Sequence, residues 1–204
     1  MSILVQEGCG DKLKIVIFGT GSHATEVAEL LGLSKIQNPF FLNEEDENKL
    51  LDDQLQLPLS LYLGVGYPEV RLRILQRWND FRDQFMTVQH PNSYVSPSAS
   101  IGKGAVLQFG TVLSSDAILG DGTLLNWNAT VGHHANIGSG SVVNPGASVS
   151  GNCTLGNGVL IGTGARVLEG ITIGDHAVIG AGAVVTKHVP SYARYVGVPA
   201  RAIK

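Results

Sequence analysis

Aliphatic residues recur at every sixth position from Val95 onward, with no insertion or deletion: Val95, Ile101, Leu107, Leu113, Leu119, Leu125, Val131, Ile137, Val143, Val149, Leu155, Ile161, Val167, Ile173 and Ile179. The fifth residue of each hexapeptide is nearly always small, as at Ala99, Ala105, Ala117, Ala129, Ala135, Ala147, Cys153, Ala165, Ala177 and Ala183. A helix repeats its buried face about every 3.6 residues and a half-buried strand every second one, so neither yields a strict period of six. A solenoid with one short strand and one turn per hexapeptide does. The stretch from Val95 to Val184 is therefore predicted to be a hexapeptide β-helix.

Three hexapeptides close one triangular coil, so residues eighteen apart stack about 4.8 Å from each other, the spacing of neighbouring strands. Gly102, Gly120, Gly138, Gly156 and Gly174 then form one column, which suits turns that need backbone freedom or close approach. Ser115, His133, Gly151 and Glu169 form another. The regular pattern seen in Ile161-Gly162-Thr163-Gly164 and Ile179-Gly180-Ala181-Gly182 resembles the left-handed β-helix of hexapeptide acyltransferases. That resemblance implies the left hand, a homotrimer, and acetyl-coenzyme A (acetyl-CoA) in the groove between neighbouring prisms.

Ahead of the repeat the pattern changes. Lys12 to Phe18 reads as a strand, Gly19-Thr20-Gly21-Ser22-His23-Ala24 as a glycine turn, and Thr25 to Leu31 as a helix. Gly19 and Gly21 permit a tight turn, and Thr20 or Ser22 is placed to cap a helix whose free amides attract a phosphate. The dinucleotide fingerprint expects a third glycine, and here Ala24 follows His23 instead. Pro39 to Leu42 reads as a second strand ending at Asn43-Glu44, where a Rossmann-like unit meets the ribose. Leu59 to Val65 reads as a third strand ending at Gly64-Val65-Gly66, and Pro68 opens a helix through Trp78 with Arg71 on its first turns, placed to pair with a phosphate or face solvent. A strand around Met86 to Gln89 closes this unit. The expected organisation is a small Rossmann-like βαβ domain at 1–93, the β-helix at 94–186, and a C-terminal cap at 187–204.

Composition narrows the function classes. With 204 residues, 44% of them hydrophobic and a net charge of −3, the chain holds one solenoid plus one small domain and makes a poor nucleic-acid binder. No apolar run suggests a membrane span, and Met1 to Lys14 lacks the order of a signal peptide, so the expectation is a cytoplasmic protein. Two cysteines make no disulfide framework, and Cys153 holds a core slot.

A βαβ domain feeding a hexapeptide prism resembles the bacterial acetyltransferases that act on nucleotide-linked amino sugars, related to the sialic-acid O-acetyltransferases. The marks are Gly19-Thr20-Gly21-Ser22-His23, Leu42-Asn43-Glu44, Gly66 with Arg71, and His90-Pro91 before Ser96-Pro97-Ser98-Ala99. The resemblance implies that the glycine turn and His23 meet the diphosphate, and that the strand end, here Asn43-Glu44 in place of two acids, meets the nucleoside. Nucleotide-sugar contacts are thus expected at Gly19, Gly21, Ser22, His23, Asn43, Glu44, Gly66 and Arg71.

On the prism, Asn126-Trp127-Asn128-Ala129-Thr130-Val131-Gly132-His133-His134 places two imidazoles where most repeats have small turn residues. Acetyl transfer to an amine needs the amine neutral, and a histidine accepts its proton near neutral pH. The tetrahedral intermediate needs a donor for its oxyanion, and Gly151, one coil beyond His133, offers an amide with no side chain in the way. The resemblance places the family's asparagine, base and acidic neighbour at Asn126, His133 and His134, the last being a departure from the usual glutamate. A family position that is often histidine is Val142 here, and Asn144 stacks under Asn126. Thr163, Gly164, Ala181 and Gly182 resemble the wall along which pantetheine lies, and 187–204 the cap at that end. Adjacent His133 and His134 rarely point to one centre, so no metal is expected. The expected activity is acetyl-CoA-dependent N-acetylation of a nucleotide-linked 4-amino-4,6-dideoxy sugar, with a sugar O-acetyltransferase and a nonenzymatic ligand-binding β-helix as alternatives.

Overall fold

The computed structural model describes residues 14–32, 40–43 and 59–203. Its larger part is a parallel β-solenoid whose three sheets have six, five and eight strands, consistent with the left-handed form. Strands pair at a constant offset, as in Val106↔Leu124↔Val142↔Leu160 and Leu113↔Val131↔Val149↔Val167. The first-position aliphatics from Leu107 onward and the small fifth-position residues fill a single buried core. Cys153 belongs to it, with its thiol donating to the Leu168 carbonyl at 3.1 Å. Burial pushes that thiol up from its ordinary pKa.

The turn chemistry repeats as strictly as the core. From Gly104 to Gly182 every fourth position of the hexapeptide takes a left-handed backbone, mostly at glycine, and otherwise at Asp116, Asn128, His134, Asn152 and His176. Those three polar residue types tolerate positive φ better than other side chains. The glycine column at 102, 120, 138, 156 and 174 has a different cause. A Cβ on Gly120 would lie 2.6 Å from the amide nitrogen of Ser139 one coil on, so this column exists for close approach of successive coils.

The N-terminal α/β unit has a three-stranded parallel sheet. Strand β1 (Lys14–Phe18) lies between β2 (Phe40–Leu42) and β3 (Leu59–Leu63), with helices α1 (Ser22–Leu30) and α2 (Pro68–Arg77). Phe18, Trp78 and Phe85 pack ring to ring at its centre. The strand expected to close the unit divides its allegiance. Phe85 bridges to Leu61, whereas β4 (Val88–Gln89) pairs with Val106 and Leu107 and so already belongs to the solenoid.

The two parts meet along one face of the prism. The outward-facing residues Val106, Leu124 and Val142 are aliphatic and buried, and they pack with Ala24, Val27 and Ala28 of α1. The absence of a histidine at 142 thus has a structural side, because Val142 sits beneath a helix. Turns at Gly140 and Gly158 lie against Leu72 of α2, where a Cβ would collide with its side chain. At the far end Arg194–Val196 pairs with Val178–Ile179, and Arg201–Ile203 folds back antiparallel on it. The tail thereby covers an open sheet edge.

Candidate functional site

Two groups of expected residues come together, on different sides of the prism. The first lies where α1 begins. Gly19 has φ 108, and a Cβ there would collide with the Gly64 carbonyl oxygen at 2.7 Å, so glycine is required for β1 to turn past β3. Gly21 is the N-cap of α1, and neither Thr20 nor Ser22 caps the helix, which corrects the expectation from sequence. The first-turn amides are consequently left without a side-chain acceptor, and no acidic residue occupies that turn. Such an end attracts anions.

His23 is held from two directions. Its Nδ1 lies 3.0 Å from Glu26 Oε2, which also accepts from Gln108 Nε2 at 3.2 Å on the solenoid. Its ring packs on Gly66, where a Cβ would come within 2.6 Å of Nε2. The Nδ1–H tautomer that donates to Glu26 leaves the Nε2 lone pair free. A cavity of about 470 Å³ opens here, lined by Gly19, Thr20, Gly21, Ser22, His23, Gly64, Val65, Gly66 and Tyr67, with Asn144 and Leu160 from the solenoid. Glu26 and Gln108 escaped the sequence reading, although Glu26 lies one helical turn from His23.

Arg71 does something other than expected. It is fully buried, and its guanidinium donates to backbone carbonyls: Nη1 to Val65 at 2.6 Å, Nε to Gly122 at 2.5 Å and Nη2 to Thr123 at 3.5 Å. Desolvation pulls its pKa down to about 9, which leaves it charged at neutral pH. The side chain ties α2 and the end of β3 to a solenoid turn, and that correction removes it from the phosphate contacts. Asn43 follows β2 and is exposed, outside the cavity lining. Glu44 lies outside the described residues.

The second group sits on the corner formed by 114–117, 132–135 and 150–153. His133 is exposed there with its ring lying over Gly151: a Cβ on Gly151 would meet Cε1, Nε2 and Nδ1 of His133 at 2.6, 2.7 and 2.9 Å. Among the described residues the Gly151 amide donates to no group. His134 lies beside His133, with Nδ1 to Nδ1 at 3.2 Å, and its Nε2 is 3.6 Å from Asp116 Oδ2. This corner therefore combines an exposed base, an uncommitted donor and a carboxylate. Asp116 stacks one coil before His134, so the eighteen-residue spacing already pairs them.

Asn126 lies on the preceding corner, apart from His133. It is buried, and its Oδ1 accepts from the Trp127 amide at 2.8 Å. That same corner carries Asn144 and, further along, Thr163, Gly164, Ala181 and Gly182. Thr163 and Ala181 are exposed, and at Gly164 and Gly182 an added Cβ would meet nothing within 4 Å, so an open wall of small residues runs along it. Among the described residues no group of three or more His, Cys, Asp or Glu is placed to hold a metal ion, and no helix is long and apolar enough to cross a membrane.

Comparisons with known proteins agree with this architecture. A family described as Bacterial transferase hexapeptide (six repeats) matches residues 152–187, and one described as Hexapeptide repeat of succinyl-transferase matches 128–163. The acetyltransferase domain of PglB from Neisseria gonorrhoeae is 30% identical, with a TM-score of 0.85 over 93% of this chain and 98% of that one. It has also been solved in complex with acetyl coenzyme A. PerB from Caulobacter crescentus, in complex with CoA and GDP-perosamine, is 27% identical, with a TM-score of 0.84 over 98% of this chain and 100% of that one. WeeI from Acinetobacter baumannii AYE is 26% identical, with a TM-score of 0.81 over 94% of this chain and 100% of that one. No curated protein sequence matches the chain.

Proposed function

The chain belongs to the hexapeptide-repeat transferase family as an acetyltransferase, and from that premise we propose that it acetylates the amine of a nucleotide-linked amino sugar, a 4-amino-4,6-dideoxy sugar, with acetyl-CoA as donor. The observation that carries this reading is the cavity at the uncapped start of α1, which opens directly onto Asn144 and Leu160 of the solenoid. A diphosphate fits the free amides of that helix end. The likeness to PerB, solved with GDP-perosamine, supports a substrate of this class.

His133 acts as general base. Its Nε2 accepts the proton lost by the amine as the nitrogen attacks the thioester carbonyl, and the Gly151 amide stabilises the oxyanion. Collapse of the intermediate breaks the C–S bond, and the imidazolium returns its proton to the departing thiolate. Pantetheine lies along Thr163, Gly164, Ala181 and Gly182. Since the cavity and His133 lie on different sides of one prism, a sugar held by one protomer reaches His133 of a neighbour, in a cytoplasmic homotrimer. The nucleotide then serves as a handle whose binding energy fixes the orientation of the amine.

The test measures release of coenzyme A thiol from acetyl-CoA against UDP-, dTDP- and GDP-linked 3-amino and 4-amino sugars, with hydroxyl analogues as controls. Release with a 4-amino sugar and none with its hydroxyl analogue is expected and names the nucleotide. Release with hydroxyl acceptors alone moves the assignment to a sugar O-acetyltransferase, and silence across the panel overturns it.

A further inference from the structure

From Gly104 to Gly182 the fourth turn position carries left-handed backbone, and glycine adopts it without the roughly 1–2 kcal/mol that an L side chain costs there. Successive coils nonetheless place Asp116 and His134 at that position on the corner that carries His133, each with φ 56. Their stacking sets Asp116 Oδ2 3.6 Å from His134 Nε2, and the facing edge of His134 sets its Nδ1 3.2 Å from His133 Nδ1 with the rings nearly perpendicular, at 82°. The three side chains form a line from carboxylate to base.

Two imidazole nitrogens in contact need one proton between them, so one Nδ1 donates and the other accepts. At 3.6 Å the carboxylate is too distant for a hydrogen bond, yet its charge favours an N–H on the nitrogen that faces it. Resting on the reading of His133 as base, we propose that Asp116 and His134 are positioning residues that set its tautomer. Asp116 holds His134 as the Nε2–H form. His134 Nδ1 is then a lone pair that accepts from His133 Nδ1–H. That leaves the lone pair of His133 on Nε2, the nitrogen that takes the proton from the amine. When His133 becomes imidazolium its Nδ1–H is already committed to a neutral partner, whose far edge faces Asp116, so no proton has to leave the corner. An imidazole pinned by a carboxylate thereby does what a carboxylate directly beside His133 would do: it orients the base and favours its charged form.

The test reads the tautomers directly and needs no substrate. In protein labelled with 15N-histidine at pH 8, long-range 1H–15N spectra are expected to show His133 as Nδ1–H and His134 as Nε2–H. Signals are assigned by comparison with His133→Ala and with His134→Asn, the latter chosen because asparagine tolerates the left-handed backbone. In Asp116→Asn, His134 should become a mixture and His133 should drift toward Nε2–H. Finding His133 as Nε2–H in the native protein, or both rings unchanged in Asp116→Asn, overturns the proposal. A kinetic arm uses whichever amino sugar the acceptor panel turns over. Asp116→Asn should lower kcat about two- to fivefold, the scale of an exposed charge pair, with KM unchanged. That loss should vanish in the His134→Asn background. Equal losses in both backgrounds would mean that Asp116 acts without His134 and would also overturn it. Full activity in His133→Ala would sink the base assignment instead, and the tautomer spectra separate the two failures.

Discussion

Two corners of the same prism follow one backbone path and put it to different use. On the corner formed by 102–105, 120–123, 138–141 and 156–159, three of the four amides at the third turn position are capped from the next coil. Lys103 N donates to Asp121 Oδ1 at 2.9 Å, Ser139 N to Asn157 Oδ1 at 2.8 Å, and Asn157 N to Asp175 Oδ1 at 2.7 Å. Arg71 reaches the Gly122 and Thr123 carbonyls of this corner, and Arg82 pairs with Asp121 at 2.7 Å. On the histidine corner the equivalent positions are Ser115, His133, Gly151 and Glu169, and the Gly151 amide has no such cap among the described residues. The first corner spends its side chains on its own ladder and on docking the N-terminal unit. The second leaves one edge of the His133 ring and the Gly151 amide beneath it without a partner among the described residues, and spare hydrogen-bonding capacity is what chemistry requires.

Substitutions that remove the working groups from each corner should separate these roles, and the largest effect belongs to His133→Ala. Loss of a general base lowers kcat about 10²- to 10⁴-fold. The side chain is exposed and outside the core, so Tm should stay unchanged. Turnover near native would return His133 to the status of an ordinary turn residue. On the other corner the matching experiment is Arg71→Met, which keeps volume and removes the donors. The Val65 and Gly122 carbonyls lose their buried partner, and stability measured by urea unfolding should fall by on the order of 3 kcal/mol. An unchanged midpoint would mean that water replaces the guanidinium freely.

A single substitution type applied to both corners sharpens the contrast. In Gly151→Ala the new methyl meets the His133 ring, the movable end of a side chain, so the base is displaced while the backbone stays in place. A displacement near 1 Å costs up to about 10²-fold in rate. In Gly120→Ala the methyl meets the Ser139 amide nitrogen and Cα, which belong to the next coil. The coils must part, with an expected loss of about 1–3 kcal/mol in stability and native kcat in the protein that remains folded. Equal effects on both readouts would show that the corners differ less than their hydrogen bonds imply.

The coil-to-coil spacing and the core were readable because periodicity of six leaves a single stacking solution, and the pairing of Gly151 with His133 and of Asp116 with His134 follows from the same arithmetic. Side-chain direction was less readable. Arg71 lies on the first turns of a helix, where its sequence position pointed to a phosphate or to solvent, and the packing of α2 against the Gly122 turn buries it instead. Asn126 is in the expected column, but its carbonyl turns back to the Trp127 amide, a local bond that competes with any ligand. The docking face was legible in principle: Val88, Val106, Leu124, Val142 and Leu160 form an unbroken aliphatic column on the outside of a prism, which marks a covered surface, whereas the outward column of the next face is interrupted by Thr130, Ser148 and Arg166.

The smallest effect is expected from removing one rung of the capped ladder. Asn157→Ala deletes the acceptor of the Ser139 amide, but Asn157 still donates its own backbone amide to Asp175, so a single bond is lost. The position is exposed, and water takes the vacated place, so the net cost should be about 0.5–1 kcal/mol with acetyl transfer unaltered. The result bears on how the corners divide their labour. A loss of several kcal/mol would mean that the rungs act cooperatively and that this corner is a continuous stiffener. A loss of activity without a loss of stability would place the Ser139 turn in contact with substrate, which its commitment to the ladder otherwise excludes.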